Sequence, residues 1–170
     1  MKMTTGKLTE LALLTASALI LYVVELQLPV LVPIPGAKLG LANIVTMVIL
    51  YTLGFVAAAL LSAARILLSG MLFGSGFAMV YSAAGAAMSM LVMALLKKTK
   101  KFSSVGVSVA GGIFHNVGQI IVAMLVLETK ALAYYLPILI LSGLAAGILI
   151  GILSGILTKR LNPIIKQHFL

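Results

Sequence analysis

Apolar side chains fill this chain in long blocks, and the breaks between the blocks set its organisation. A membrane-spanning helix needs about 20 apolar residues. On that measure the blocks predict spans near residues 8–28, 76–96, 104–127 and 132–157. The block from Leu39 to Phe73 is too long for one. As a single helix it would run ~50 Å at 1.5 Å per residue, against a hydrocarbon core of ~30 Å. Divided at Gly54, it gives two shorter spans, 39–53 and 55–71. Residues 29–40 (PVLVPIPGAKLG) read as a loop, because Pro29, Pro33 and Pro35 fall close together and cannot continue a helix.

Charge decides between one crossing and two. If the 39–73 block crosses twice, the amino terminus, the run Lys97-Lys98-Thr99-Lys100-Lys101 and the tail with Lys159, Arg160 and Lys166 share one side. That side then holds nine of the eleven Lys and Arg outside the spans, leaving Lys38 and Lys130 opposite. A single crossing would scatter them, so the positive-inside rule favours six spans with both termini cytoplasmic. The expected fold is an all-α, polytopic membrane protein, one six-helix bundle over residues 1–170. Its composition agrees: 9% charged residues, where soluble domains carry about 25%. The net charge of +9 lies in short clusters between apolar blocks, a pattern of membrane orientation rather than of nucleic-acid binding. No small-residue cleavage site follows the first apolar run, which therefore reads as a retained span.

Several chemistries are excluded. The chain has no cysteine and no aspartate, and its acids are Glu10, Glu25 and Glu128. Disulfides and thiolate metal sites are ruled out, and the carboxylate sets that hold Mg²⁺ are missing. There is no nucleophile elbow, no carboxylate pair within a span and no metal-ligand spacing, so the expectation is a protein that is not an enzyme and carries no metal or cofactor. FGSG at 73–76 lacks the ending of a phosphate loop.

Two polar features stand out in the apolar background. Arg65 lies inside the third span, and an arginine in lipid faces a bundle interior or a polar cavity. It reads either as a structural partner of Glu25 or a helix-end carbonyl, or as a contact for an anion, whose carboxylate or phosphate suits the planar guanidinium. His115, Asn116 and Gln119 fall near the middle of the fifth span, with His115 and Gln119 on one face. Unsatisfied groups at that depth cost several kcal/mol each, so the triple reads as an interhelical clamp or as a ligand site. Lys38 and Asn43 flank the start of the second span, as a solvated loop lysine and a helix cap or as ligand contacts. Small residues recur four apart in Gly143/Gly147/Gly151/Gly155, Ala12/Ala16, Ala59/Ala63 and Ala83/Ala87. Such tracks let helices approach closely, within the bundle or against another membrane protein.

Four blocks, PIPGAKLGLANI, SAARILLSG, FGSGFAMVYSAAGA and GGIFHNVGQ, resemble the small membrane family labelled heptaprenyl diphosphate synthase component I, also called Gx transporter family proteins. The resemblance covers about residues 8–160. That family in turn resembles the substrate-binding S components of energy-coupling factor (ECF) vitamin transporters, six-helix proteins of the bacterial plasma membrane with a pocket near the outer face. They dock through a small-residue motif of the first helix onto a membrane coupling subunit that carries two ATPases. The resemblance implies Ala12 and Ala16 as the docking pair and the 29–40 loop as a gate over the pocket. It makes Lys38, Asn43, Arg65, His115, Asn116 and Gln119 substrate-binding candidates for a small anionic or polar-headed molecule, linked through the family label to isoprenoid or quinone metabolism. The chain has no tryptophan, which argues against a site built on Trp stacking. The alternative is a non-catalytic membrane partner of a prenyl diphosphate synthase, and a third reading is a scaffold subunit.

Overall fold

A computed structural model describes residues 5–27 and 39–169. Among them are six α-helices and no strands: α1 Thr5–Gln27, α2 Ala42–Thr52, α3 Phe55–Phe73, α4 Gly76–Thr99, α5 Ser104–Val126 and α6 Leu136–Phe169. A 3₁₀ turn, Lys130–Tyr135, leads into α6. Helices α3, α4, α5 and α6 are long and apolar enough to cross a membrane, and their outer faces carry exposed Leu, Ile, Val, Met and Phe side chains. The chain is an all-helical membrane protein. The apolar part of α1, Leu11–Gln27, is shorter, and α2 with its 11 residues is only ~16 Å long. The last helix runs on past residue 157, where the apolar block ends, through Pro163 to Phe169.

The breaks have local causes. Gly54 turns α2 into α3 at φ +92°, a conformation that any side chain would strain. Ser75 and Ser103 open α4 and α5, each accepting a backbone N–H on its hydroxyl, from Ala78 and Gly106. Residues 73–76 thus serve as a helix connection and cap. Lys100 closes α4 in the left-handed conformation, at φ 57°.

Helix α2 is the hub. Ala42, Ile44, Thr46, Met47, Val48, Ile49 and Leu50 are all buried, and α2 packs against α1, α3 and α6. A helix that stops inside a low-dielectric layer leaves backbone groups unpaired at both ends, and here two neighbours supply charges of matching sign. At its start, the backbone N–H of Gly40 donates to Glu25 Oε1 at 2.5 Å and that of Leu41 to Oε2 at 3.1 Å. At its end, Lys97 Nζ donates to the Leu50 carbonyl at 2.5 Å and sits 5.1 Å from the centre of the Tyr51 ring. Acid at the N-terminus and cation at the C-terminus both suit the helix dipole. Lys97→Met keeps the stem and removes the donor. It is expected to lower stability by about 1.5–3 kcal/mol, read as a lower melting temperature in lipid nanodiscs, with Lys97→Arg retaining most of the contact.

Helix α5 is gripped on two sides without room for side chains. A Cβ on Gly118 would lie 2.8 Å from the Ala84 carbonyl oxygen of α4, and one on Gly112 would lie 2.4 Å from the Gly143 oxygen of α6. Gly147 and Gly151 meet the Val109 and Val105 backbones, and Gly155 faces Ser104. The four-glycine track therefore packs inside the bundle. Of the two readings open for it, the internal one holds.

Candidate functional site

Three helices place a polar residue at one depth. Asn43 precedes Gly54 by as many residues as Arg65 follows it, and His115 lies equally far beyond Ser104. The contact of Lys97 with Leu50 puts the α2–α3 turn at the same side as the 97–101 run. At 1.5 Å per residue all three residues stand ~16 Å from that side.

The residues meet around Arg65, which is 7% exposed. Its Nη2 donates to Asn43 Oδ1 at 3.4 Å, a long bond, and its Nε has no hydrogen-bond partner. Glu25, Tyr22 and His115 lie within electrostatic reach of the guanidinium. Glu25 is thus the nearby counter-charge, but both its oxygens already receive α2 backbone N–H groups. Ser62 and Ser69 share the buried face of α3 with Arg65, and Ser69 returns its hydroxyl to the Ile66 carbonyl.

Beside this layer is a cavity of about 30 Å³ reached by α2, α3, α4, α5 and α6. Its polar lining comes from Asn43, Thr46, Ser62, Ser89, Ser108 and His115. Thr46 is 3% exposed, and its hydroxyl has no hydrogen-bond partner. The volume suits about two waters at ~10–15 Å³ each. Met47, Ala86, Met90, Met93 and Ile150 make most of its wall apolar, and the few polar groups there are costly to leave unpaired, so it suits water or a small group that can pair with them. Among the described residues no three His, Cys, Asp or Glu side chains gather as a metal site would need.

The candidates named from sequence separate into groups. Asn43 and His115 line the cavity, and Arg65 joins it through Asn43. Asn116 faces α6 instead and donates Nδ2–H to the Leu139 carbonyl at 2.6 Å, which makes it the interhelical clamp. Gln119 is buried with its Cγ against Gly85 of α4 and is not among the cavity residues. Lys38 and most of the 29–40 gate lie outside the described residues. Ala12 and Ala16 are exposed on α1. The sequence reading missed Thr46, Ser62, Ser89 and Ser108, and also Glu25 as a cap. The signal available was hydroxyls spaced on one face of an apolar helix, as in Ser62, Arg65 and Ser69.

A family model described as Heptaprenyl diphosphate synthase component I matches residues 14–157. Among curated proteins and solved structures, none matches the chain.

Proposed function

The chain belongs to the heptaprenyl diphosphate synthase component I family, and from that premise we propose that it is a non-catalytic, membrane-embedded binding subunit. In this reading it is the substrate-binding component of an ECF-type importer in a bacterial plasma membrane, crossing six times with both termini cytoplasmic. It captures a small anionic or polar-headed molecule and depends on a membrane coupling subunit and its ATPases for energy. The observation that carries the reading is a buried cavity walled in part by Asn43, Thr46 and His115, with Arg65 bonded to Asn43 behind it. Arg65, with an unpartnered Nε, bonds to Asn43 at the cavity wall, an arrangement suited to an acceptor-rich group. The exposed Ala12/Ala16 face of α1 is consistent with close docking of a second helix.

The second reading, a membrane partner of a prenyl diphosphate synthase, draws on the family's description and on the exposed lysines Lys98, Lys100 and Lys101, which a soluble partner would meet. Gentle purification from native membranes, with mass spectrometry of what is retained, separates the two. A coupling subunit with ATPases, lost on Ala16→Leu, is the result expected of an importer. Retention of a prenyl synthase without ATPases, lost when Lys98, Lys100 and Lys101 are changed to glutamine, would replace it.

A further inference from the structure

We propose that the ligand is an amphiphile with a small anionic head and a single hydrocarbon chain, and that it enters sideways from the bilayer between α3 and α4. The inference rests on the binding-subunit reading and adds the class of ligand and its route. Its starting point is a mismatch of volumes. The inner cavity, at about 30 Å³, is far smaller than any whole substrate. On the lipid-facing side of α3 and α4 there is a second space of about 490 Å³, an apolar groove. Ala59, Ala63, Ala83 and Ala87 line it with Phe55 and Leu67, so the two alanine tracks form a trough.

The two spaces share a wall. Ser62, Ala86 and Met90 line both, so the partition is one layer of side chains thick. Two of the three are small, and the third is an unbranched methionine with rotatable bonds that adapts readily to what it packs against. Ser62 is the one polar residue of the groove lining. It therefore marks where a polar group would pass from trough to cavity.

The chemistry on each side selects the ligand. Behind the inner wall, Arg65 has an unpaired Nε and bonds to the cavity residue Asn43, while the nearby carboxylate of Glu25 is held by two backbone N–H groups. An anion is the complement. Thr46, unpartnered and buried at the cavity, adds a hydroxyl. On the outer side, a hydrophilic body would lose its hydration against apolar side chains, whereas a hydrocarbon chain loses nothing there. A ligand too large for the cavity must leave its bulk in the groove, and only an apolar bulk is tolerated in that position.

The test uses the full chain in phosphatidylcholine nanodiscs and equilibrium binding of three labelled probes: dodecyl phosphate, dodecanol and inorganic phosphate. Dodecyl phosphate is expected to bind at least tenfold more tightly than either fragment, measured against empty nanodiscs. Ala63→Phe and Ala87→Phe fill the trough from positions that already face outward, so the fold survives, as an unchanged melting temperature would confirm. Each is expected to weaken dodecyl phosphate tenfold or more and to leave inorganic phosphate unaffected, whereas Arg65→Gln weakens both. If inorganic phosphate binds as tightly as dodecyl phosphate and the phenylalanine variants change nothing, the amphiphile is overturned while the anion site stands. If no probe binds, or Arg65→Gln leaves binding intact, both this proposal and the Arg65-based reading fall. Loss of a co-purifying membrane protein in the phenylalanine variants, with dodecyl phosphate binding intact, assigns the groove to a partner helix and also overturns the proposal.

Discussion

Glu25→Ala is expected to cost roughly 3–5 kcal/mol, the sum for two hydrogen bonds to a buried charge at about 1.5–3 kcal/mol each. Two effects combine. The backbone N–H groups of Gly40 and Leu41 lose their acceptor at the start of the most buried helix, and Arg65 loses the negative charge nearby. Glu25→Gln keeps an acceptor oxygen and is expected to cost less than Glu25→Ala. A double-mutant cycle with Arg65→Met separates the two effects. The arginine's share appears as a coupling of about 0.5–3 kcal/mol, because neighbouring groups in one network do not act additively. Melting temperatures or denaturant midpoints in nanodiscs supply the values. Strictly additive costs would show that Glu25 acts on α2 alone.

Gly112→Ala and Gly143→Ala are also expected to be damaging, though by less, and for a different reason. A methyl on Gly112 would lie 2.4 Å from the Gly143 oxygen, and one on Gly143 would lie 2.7 Å from the Gly112 oxygen. Both obstacles are backbone, so no side chain can turn away, and the helices must separate. Overpacking of this kind costs about 1–3 kcal/mol and occasionally more. Separation would also stretch the Asn116 contact to Leu139. By contrast, Gly6→Ala on α1 meets nothing within 4 Å and serves as a control, with unchanged melting expected. If Gly112→Ala melts like the control, α5 and α6 are less closely apposed than described here.

Helices were legible in the sequence because apolar blocks and Pro-rich breaks act locally. Gly54 marked a turn for the same reason. The shared depth of the polar layer was not read, although Asn43 and Arg65 are equidistant from Gly54. Nor was what each polar residue does. His115, Asn116 and Gln119 look alike from sequence, since all three need partners at that depth. Helix rotation turns Asn116 to the Leu139 carbonyl, while His115 and Gln119 both face Gly85 and only His115 also reaches the cavity. Which neighbour stands opposite is a tertiary fact, and periodicity says only which residues share a face. Glu25 was visible as an acid near Arg65 in the topology. Its capping role depends on where α2 begins, and the prolines before that point obscured the start.

The glycine contacts also distribute stiffness unevenly across the bundle. Where α5 meets α6 at Gly112 and Gly143, and α4 at Gly118, backbone lies on backbone, and no rotamer change at those points can absorb strain. Helices α4, α5 and α6 therefore behave as a single slab. On the other side of the cavity, α3 meets α4 across an open trough, and α2 is tethered at its ends by Glu25 and Lys97. Compliance is concentrated there. A change in the volume of the cavity must be taken up by α3 tilting against the slab or by α2 shifting between its tethers, which makes the α3–α4 seam the soft axis of the molecule.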